Sequence, residues 1–407
     1  VHPQLGSLLI VSWTQSAQAT VHVEYAFDPG DWRSSPPRAL GAGAHEELVL
    51  GVPYGAAVDW RVVADAVSSP DQSSHTDPLP ASIPEVQLLV SEPTRQDPDS
   101  PYWLLSLAGE PSWALIVDRS ARVVWASPSP PGTLVMHPRV AADGRSLYID
   151  RNTYWTTFDA SAATVVQWRI DGTLVHEFAT PGAHHPFTDL PDGGVAYGAL
   201  VGYYDTEYIQ IVHPDDSSET LWDCGEWLDG LGGGGYCGSN TLSYDASSDT
   251  LWLSLFSIDT VVGVDAATGV AERWFGQAPG SYSFDPPESQ FWWQHGGHVT
   301  AAGTFLTSSD LTSSGVETVA REYEIDDVNQ VLREVWNFGI GDGVYGQYMG
   351  EAHRLGNGNT LHNTGGEARV REATPEGEVV WDVRWASSEI GRSTPIADLY
   401  ALAPDRP

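Results

Sequence analysis

The stretch "DRSARVVW", residues 118–125, joins a polar turn to a short β-rich run that ends on an aromatic residue. The same pattern returns as "DGTLVHEF" (171–178), "DDSSETLW" (215–222), "ATGVAERW" (267–274), "DVNQVLREVW" (327–336) and "PEGEVVW" (375–381). Six copies at intervals of about 44 to 62 residues each leave room for four short strands and their turns, which is the length of a propeller blade. Helical periodicity is weak and turn glycines are abundant. The expected fold is therefore all-β, with a six-bladed β-propeller over residues 89–407.

Ahead of the repeats, "SLLIVSWTQ" (7–15), "ATVHVEYAF" (19–27), "HEELVLGV" (45–52) and "AAVDWRVVAD" (56–65) alternate apolar and polar residues with a period of two. They predict a small sandwich over residues 1–66, patterned like a fibronectin type III or immunoglobulin-like module, with Trp13, Tyr25 and Trp60 in its core. The Ser/Pro/Asp-rich segment that follows reads as a linker over 67–88.

Composition narrows the chemistry. The formal charge is -35, from 54 acidic and 19 basic residues in a chain of 407, and no residue is lysine. Schiff-base chemistry is excluded, and the acidic field argues against nucleic acid as a partner. No run approaches the roughly 18–20 apolar residues of a membrane helix. Cys224 and Cys237 flank the loop "GEWLDGLGGGGY", so a disulfide is expected, and with it a periplasmic or secreted protein, monomeric or weakly self-associating. The glycine run at 232–235 lacks a following lysine and does not read as a nucleotide loop.

A second element precedes most copies: "MHPRVAADGRSLYI" (136–149), "HHPFTDLPDGGVAYG" (184–198), "SNTLSYDASSDTLWLSL" (239–255), "QHGGHVTAAGTFLTS" (294–308) and "EAHRLGNGNTLHN" (351–363). Equivalent positions of successive blades are related by rotation about the channel axis, so these heads should converge at one mouth of the channel. His137, His184, His185, His295, His298 and His353 all lie in heads. Converging neutral imidazoles are the commonest ligands of copper, zinc and iron, whereas a protonated cluster would repel itself. Calcium, which prefers oxygen, would sit on the acidic loops as a structural ion. His362 reads as structural, and Tyr203, Tyr204 and Tyr236 are aromatic candidates near the channel.

The heads "HHPFTDLPDGG" and "EAHRLGNGNTL", with "FWWQH" and the block "SNTLSYD…LWLSL…VVGVDAATGVAERWFG", resemble the bacterial arylsulfate sulfotransferase family over nearly the whole chain. The resemblance implies a β-sandwich before a six-bladed propeller. It also implies a channel histidine that accepts a sulfuryl group, at His295, supported by His184 or His185 and by Asn240. The family's histidine before "SxSYD" and its sulfate-gripping arginine are replaced here by Gly238 and Phe256. Arg151 or Arg354 would have to supply the missing charge, which a sulfuryl group in flight requires.

Three functions follow. The first is a metal-dependent enzyme acting on a small organic or glycan substrate in the channel. The second is sulfuryl or related transfer through a covalent intermediate on His295, with Asn240 and Arg354 assisting. The third is a non-catalytic ligand-binding propeller.

Overall fold

The structure is a computed structural model that describes residues 1–202, 206–386 and 388–404. Half of it is strand and 6% helix, so the chain is all-β. Six sheets of four or five strands, antiparallel except for the parallel edge strand Ser283–Asp285, follow one another among the described residues after residue 85, which is the build of a β-propeller. Their innermost strands are, in ring order, Glu389–Ile396, Arg139–Val140, Ala183–Asp189, Ser239–Asp245, Trp292–Val299 and Glu351–Arg354. The first sheet is completed by the end of the chain. Glu389–Ile396 pairs with Tyr102–Ala108, and the early strand Val86–Ser91 in turn forms the outer edge of the last sheet beside Val379–Trp385.

Hydrogen bonds link each of these sheets to the next in that order. The Arg392 amide donates to the Met136 carbonyl (2.7 Å), Arg139 to Thr188 Oγ1 (2.8 Å), and the Ser239 amide to Glu207 (2.6 Å). Asn240 donates to the Gln294 carbonyl (2.7 Å), Ser308 meets His362 Nε2 (3.1 Å), and His353 Nε2 donates to the Ser393 carbonyl (2.6 Å).

The repeated aromatics staple neighbouring sheets. Trp125 and Trp381 are fully buried, and their indole N–H groups reach the Ile170 and Arg119 carbonyls of the next sheet. Each burial removes a large apolar surface from water and satisfies the ring's one donor, which is what a buried tryptophan needs. Trp274 and Trp336 depart from this pattern. They are half-buried, and Phe275 and Phe338 fill the interior instead.

The N-terminal segments form the expected strands. Leu9–Gln15 pairs with Gly43–Val49, and Ala19–Ala26 pairs with Ala57–Ala64 in a second sheet. Both sheets contribute to one core of Leu9, Val11, Val23, Tyr25, Val49 and Val58, with Trp13 and Trp60 packed against it. The segment read as a linker contains three strand pieces, Val67–Ser68, Gln72–His75 and the start of Val86–Ser91. Gln72–His75 adds a strand beside Ala57–Ala64, and the propeller side begins at Val86, inside the span assigned to the linker. Polar alternation in "DQSSH" marks an edge strand, which composition alone does not separate from a linker. Cys224 and Cys237 form a disulfide that fastens the glycine loop beneath Ser239 and Asn240.

Candidate active site

The strand Trp292–Val299 carries the centre of the site. Gln294 is buried and its side-chain amide nitrogen donates to Ser254 Oγ, the Leu255 carbonyl and the Thr260 carbonyl (3.2, 3.2 and 3.1 Å), while its backbone carbonyl accepts from Asn240. Trp293 adopts a left-handed backbone (φ 49°), with its amide on Asp259 (2.7 Å). A non-glycine residue in that region costs free energy and persists where the surroundings enforce it, as at binding and catalytic sites. The carbonyl of Trp293 takes the Nδ1 proton of His295 (2.9 Å), leaving Nε2 for a ligand. Gly296 is required here. Its φ is +67°, and an added Cβ would lie 2.4 Å from that of Glu351.

His295 faces a cavity of about 590 Å³. Five aromatic rings line it, from Trp155, Phe256, Trp293, Tyr345 and Tyr348, together with both methionines of the chain, Met136 and Met349. Phe256 stacks on Trp293 with centroids 6.1 Å apart, at the position where the resemblance calls for an arginine. The polar lining includes His185, Asn240, Asp310 and Glu389, and no arginine is among the described lining residues. Asn240 spends its amide on Gln294, so its buried Oδ1 has no partner among the described residues.

Two titrating groups in this cavity are displaced in opposite directions. Burial among aromatic rings lowers the His295 imidazole to about 4, the Trp293 carbonyl offsets part of that, and the Arg392 charge adds to it. Although His295 lies deep in the ring of sheets, it keeps surface open to the cavity. Burial also raises Asp310 to about 7, helped by repulsion from Asp259. His295 pairs with Ser308 across the sheet, and Asp310 lies two residues further along that strand, on the same face. His185 is likewise held well below the usual imidazole range, by burial and then by His184.

The six head histidines do not share one mouth. His185 lines the large cavity, whereas His184 is turned into the third sheet with Nε2 3.1 Å from the buried carboxylate of Glu207. The two rings still meet edge-on, with centroids 4.5 Å apart, where the strand's register is irregular between Ala183 and Phe187. His137 and His353 line a second cavity of about 90 Å³ with Arg139, Glu351 and Arg392. The His137 and His185 rings meet edge-on at 5.1 Å. His298 hydrogen-bonds the Gly296 carbonyl (2.9 Å) and lies 5.8 Å from the His353 ring. Register shifts on either side of His295 place it and His298 in different surroundings.

Among the described residues, no group of three or more His, Cys, Asp or Glu side chains is arranged to hold a metal ion. The side chains therefore do not fit the expected transition-metal site. His184, His298 and His353 have ring nitrogens committed to protein partners. On two of the acidic loops, Asp245 and Asp265 accept from their own turn residues.

Arg354 is not brought to either cavity. It pairs with Glu322 and lies 4.7 Å over the Trp336 ring. Arg151 pairs with Glu177 and covers Trp168. His362 is buried on Ser308, while Tyr236 is exposed and outside the lining. Tyr203 and Tyr204 lie outside the described residues. Sequence reasoning missed Asp310, the Met136–Met349 lining and Arg392. The last is carried by "EIGRSTPI" (389–396), which supplies the first sheet's inner strand from the far end of the chain.

No protein-family model and no curated protein matches the chain. Among solved structures, a protein of unknown function from Bacteroides caccae is 15% identical, with a TM-score of 0.49, over 74% of this chain and 100% of its own. A catalytically inactive virginiamycin B lyase from Staphylococcus aureus, solved with quinupristin, is 11% identical with a TM-score of 0.43, covering 73% of this chain and 87% of its own. Hydrazine synthase of Kuenenia stuttgartiensis is 12% identical with a TM-score of 0.43, covering 73% and 79%. No helix among the described residues is long and apolar enough to cross a membrane.

Proposed function

We propose that the chain is an exported enzyme, a six-bladed propeller behind an N-terminal β-sandwich, that performs acid–base chemistry on a small aromatic molecule. His295 is the base or nucleophile and Asp310 the acid. The observation that carries this reading is that both line one aromatic cavity while their environments push their proton affinities apart. An imidazole kept neutral accepts a proton at neutral pH, and a carboxyl raised to about 7 still carries one to give. Asn240 and His185 complete the polar wall and would orient the substrate.

The competing chemistries find less support. Sulfuryl transfer, which the family resemblance implies, needs a cation where negative charge develops, and the described lining offers Phe256 instead. A metal-dependent reaction lacks a group of three ligands among the described residues. The disulfide supports an oxidising compartment, either periplasmic or extracellular.

Turnover of a panel tests the proposal. The panel holds neutral and cationic aromatic esters, lactones, amides and ethers with a β-leaving group, beside an aryl sulfate with a phenol acceptor. A neutral or cationic member should be turned over, His295→Ala should lower its rate at least about a hundredfold, and the rate should fall above about pH 7 as Asp310 ionises. Turnover of the aryl sulfate alone, or turnover indifferent to His295→Ala, would overturn it.

A further inference from the structure

We propose that the ligand of the large cavity is an organic cation, an amine or ammonium group carried on an aromatic or bulky apolar body. The inference deepens the functional reading and rests on the large cavity being the reaction site.

Four features of the wall point the same way. Two acceptors stand on it, Nε2 of His295 and the carboxylate of Glu389, with Asn240, whose Oδ1 has no partner among the described residues, and with Ser313, Ser314 and Gln347, which can accept or donate. A ligand that satisfies them must bring hydrogen-bond donors, because a buried acceptor left without a donor costs free energy. No cationic side chain is among the described lining residues, so nothing there neutralises a ligand's negative charge. The five rings present the electron-rich faces that attract ammonium groups. Trp155, Trp293, Tyr345 and Tyr348 are each more than a third exposed, which is unusual for rings of this size unless something stacks on them.

An anion meets the reverse on every count. It brings acceptors to the acceptors of His295 and Glu389 and negative charge to the Glu389 carboxylate, with no arginine among the described lining residues. A neutral aromatic alcohol would gain the stacking and one donated hydrogen bond, but no charge attraction. The order of affinity should therefore be cation, neutral, anion.

Isothermal titration calorimetry with three probes of similar shape reads that order: phenethylammonium, 2-phenylethanol and 3-phenylpropanoate. The amine should bind at least about tenfold more tightly than the alcohol, and the carboxylate should not bind measurably. The preference should survive 0.5 M salt, which screens the overall charge of -35 but not contacts inside the cavity. Glu389 is exposed, so Glu389→Gln should fold normally, and it should weaken the amine several-fold while leaving the alcohol unchanged.

Equal or tighter binding of the carboxylate, loss of the preference in salt, or binding of none of the three would overturn the inference. Calorimetry needs no turnover, so the two proposals fail separately. His295-dependent turnover without an amine preference removes the ligand class alone. An amine preference without His295-dependent turnover on the panel removes the enzyme alone.

Discussion

Moving the protein from pH 7 to pH 5 is expected to destabilise it by several kcal/mol, an effect seated in the channel histidines. Burial holds His137, His185 and His362 well below the usual imidazole value, and His295 and His298 at about 4. In the unfolded chain each would titrate near 6.5. A base whose affinity for protons is lower in the fold than in the coil favours unfolding once pH drops below the coil value. Below about 6.5, and down to about 4 for His295 and His298, these imidazoles take up protons mainly in the unfolded state. Asp150 and Asp310 act oppositely. Burial raises both to about 7, so they hold protons in the fold that the coil has released, and they regain stability as pH falls.

Five protons less two leaves about three taken up on unfolding at pH 5, a slope on the order of 4 kcal/mol per pH unit. Urea midpoints at pH 7.5, 6.5, 6 and 5 should fall steeply below 6.5. A flat profile between 7 and 5 would contradict the burial of these rings.

Removal of the Glu351 carboxylate is the second large effect. It is buried where the last inner strand meets the first, accepts from Arg392 Nε (2.7 Å) and the Ser393 amide, and lies 3.2 Å from His353 Nε2. Burial alone would raise its proton affinity, but the Arg392 charge and His353 win and hold it at about 2. Glu351→Ala leaves a largely buried guanidinium without its partner at the seam of the ring, at a cost of about 3 kcal/mol or more. Glu351→Leu combined with Arg392→Met should recover much of that loss, because no charge is then stranded. Urea melts of the single and double variants check this. A single variant as stable as the native protein would show that the seam is held by something else.

The sheet order was legible because each "turn, β-run, aromatic" copy occupies the outer part of one sheet, and the strand lengths leave little alternative. The sequence shows five heads against six copies, and the sixth inner strand is Glu389–Ile396 from the end of the chain. Arg392 was hidden by this long-range pairing, since nothing local marks "EIGRSTPI" as facing the channel. Asp310 was overlooked for a different reason. It ends a strand of small polar residues, "FLTSSD", where an aspartate ordinarily reads as a turn signal.

The histidines were found, but their convergence was overstated. Sequence spacing places them in heads, while the irregular register between Ala183 and Phe187 and the register shifts around His295 decide what surrounds each one. A ligand set depends on angles within one residue of register, and a repeat read along the chain carries no such information.

The central claim is that His295 presents a neutral, accessible Nε2 to the cavity. Carbethoxylation by diethyl pyrocarbonate, mapped by mass spectrometry, measures it without a known substrate, because only the neutral imidazole reacts. From pH 7.5 to 6 an imidazole of ordinary pKa loses about three-quarters of its neutral form, as a histidine-containing reference peptide will report alongside. The His295 adduct should form at a rate unchanged over that range, and a ligand filling the cavity should block it. A rate that falls in step with the reference peptide, or a His295 that stays unmodified in the folded protein, would contradict the account.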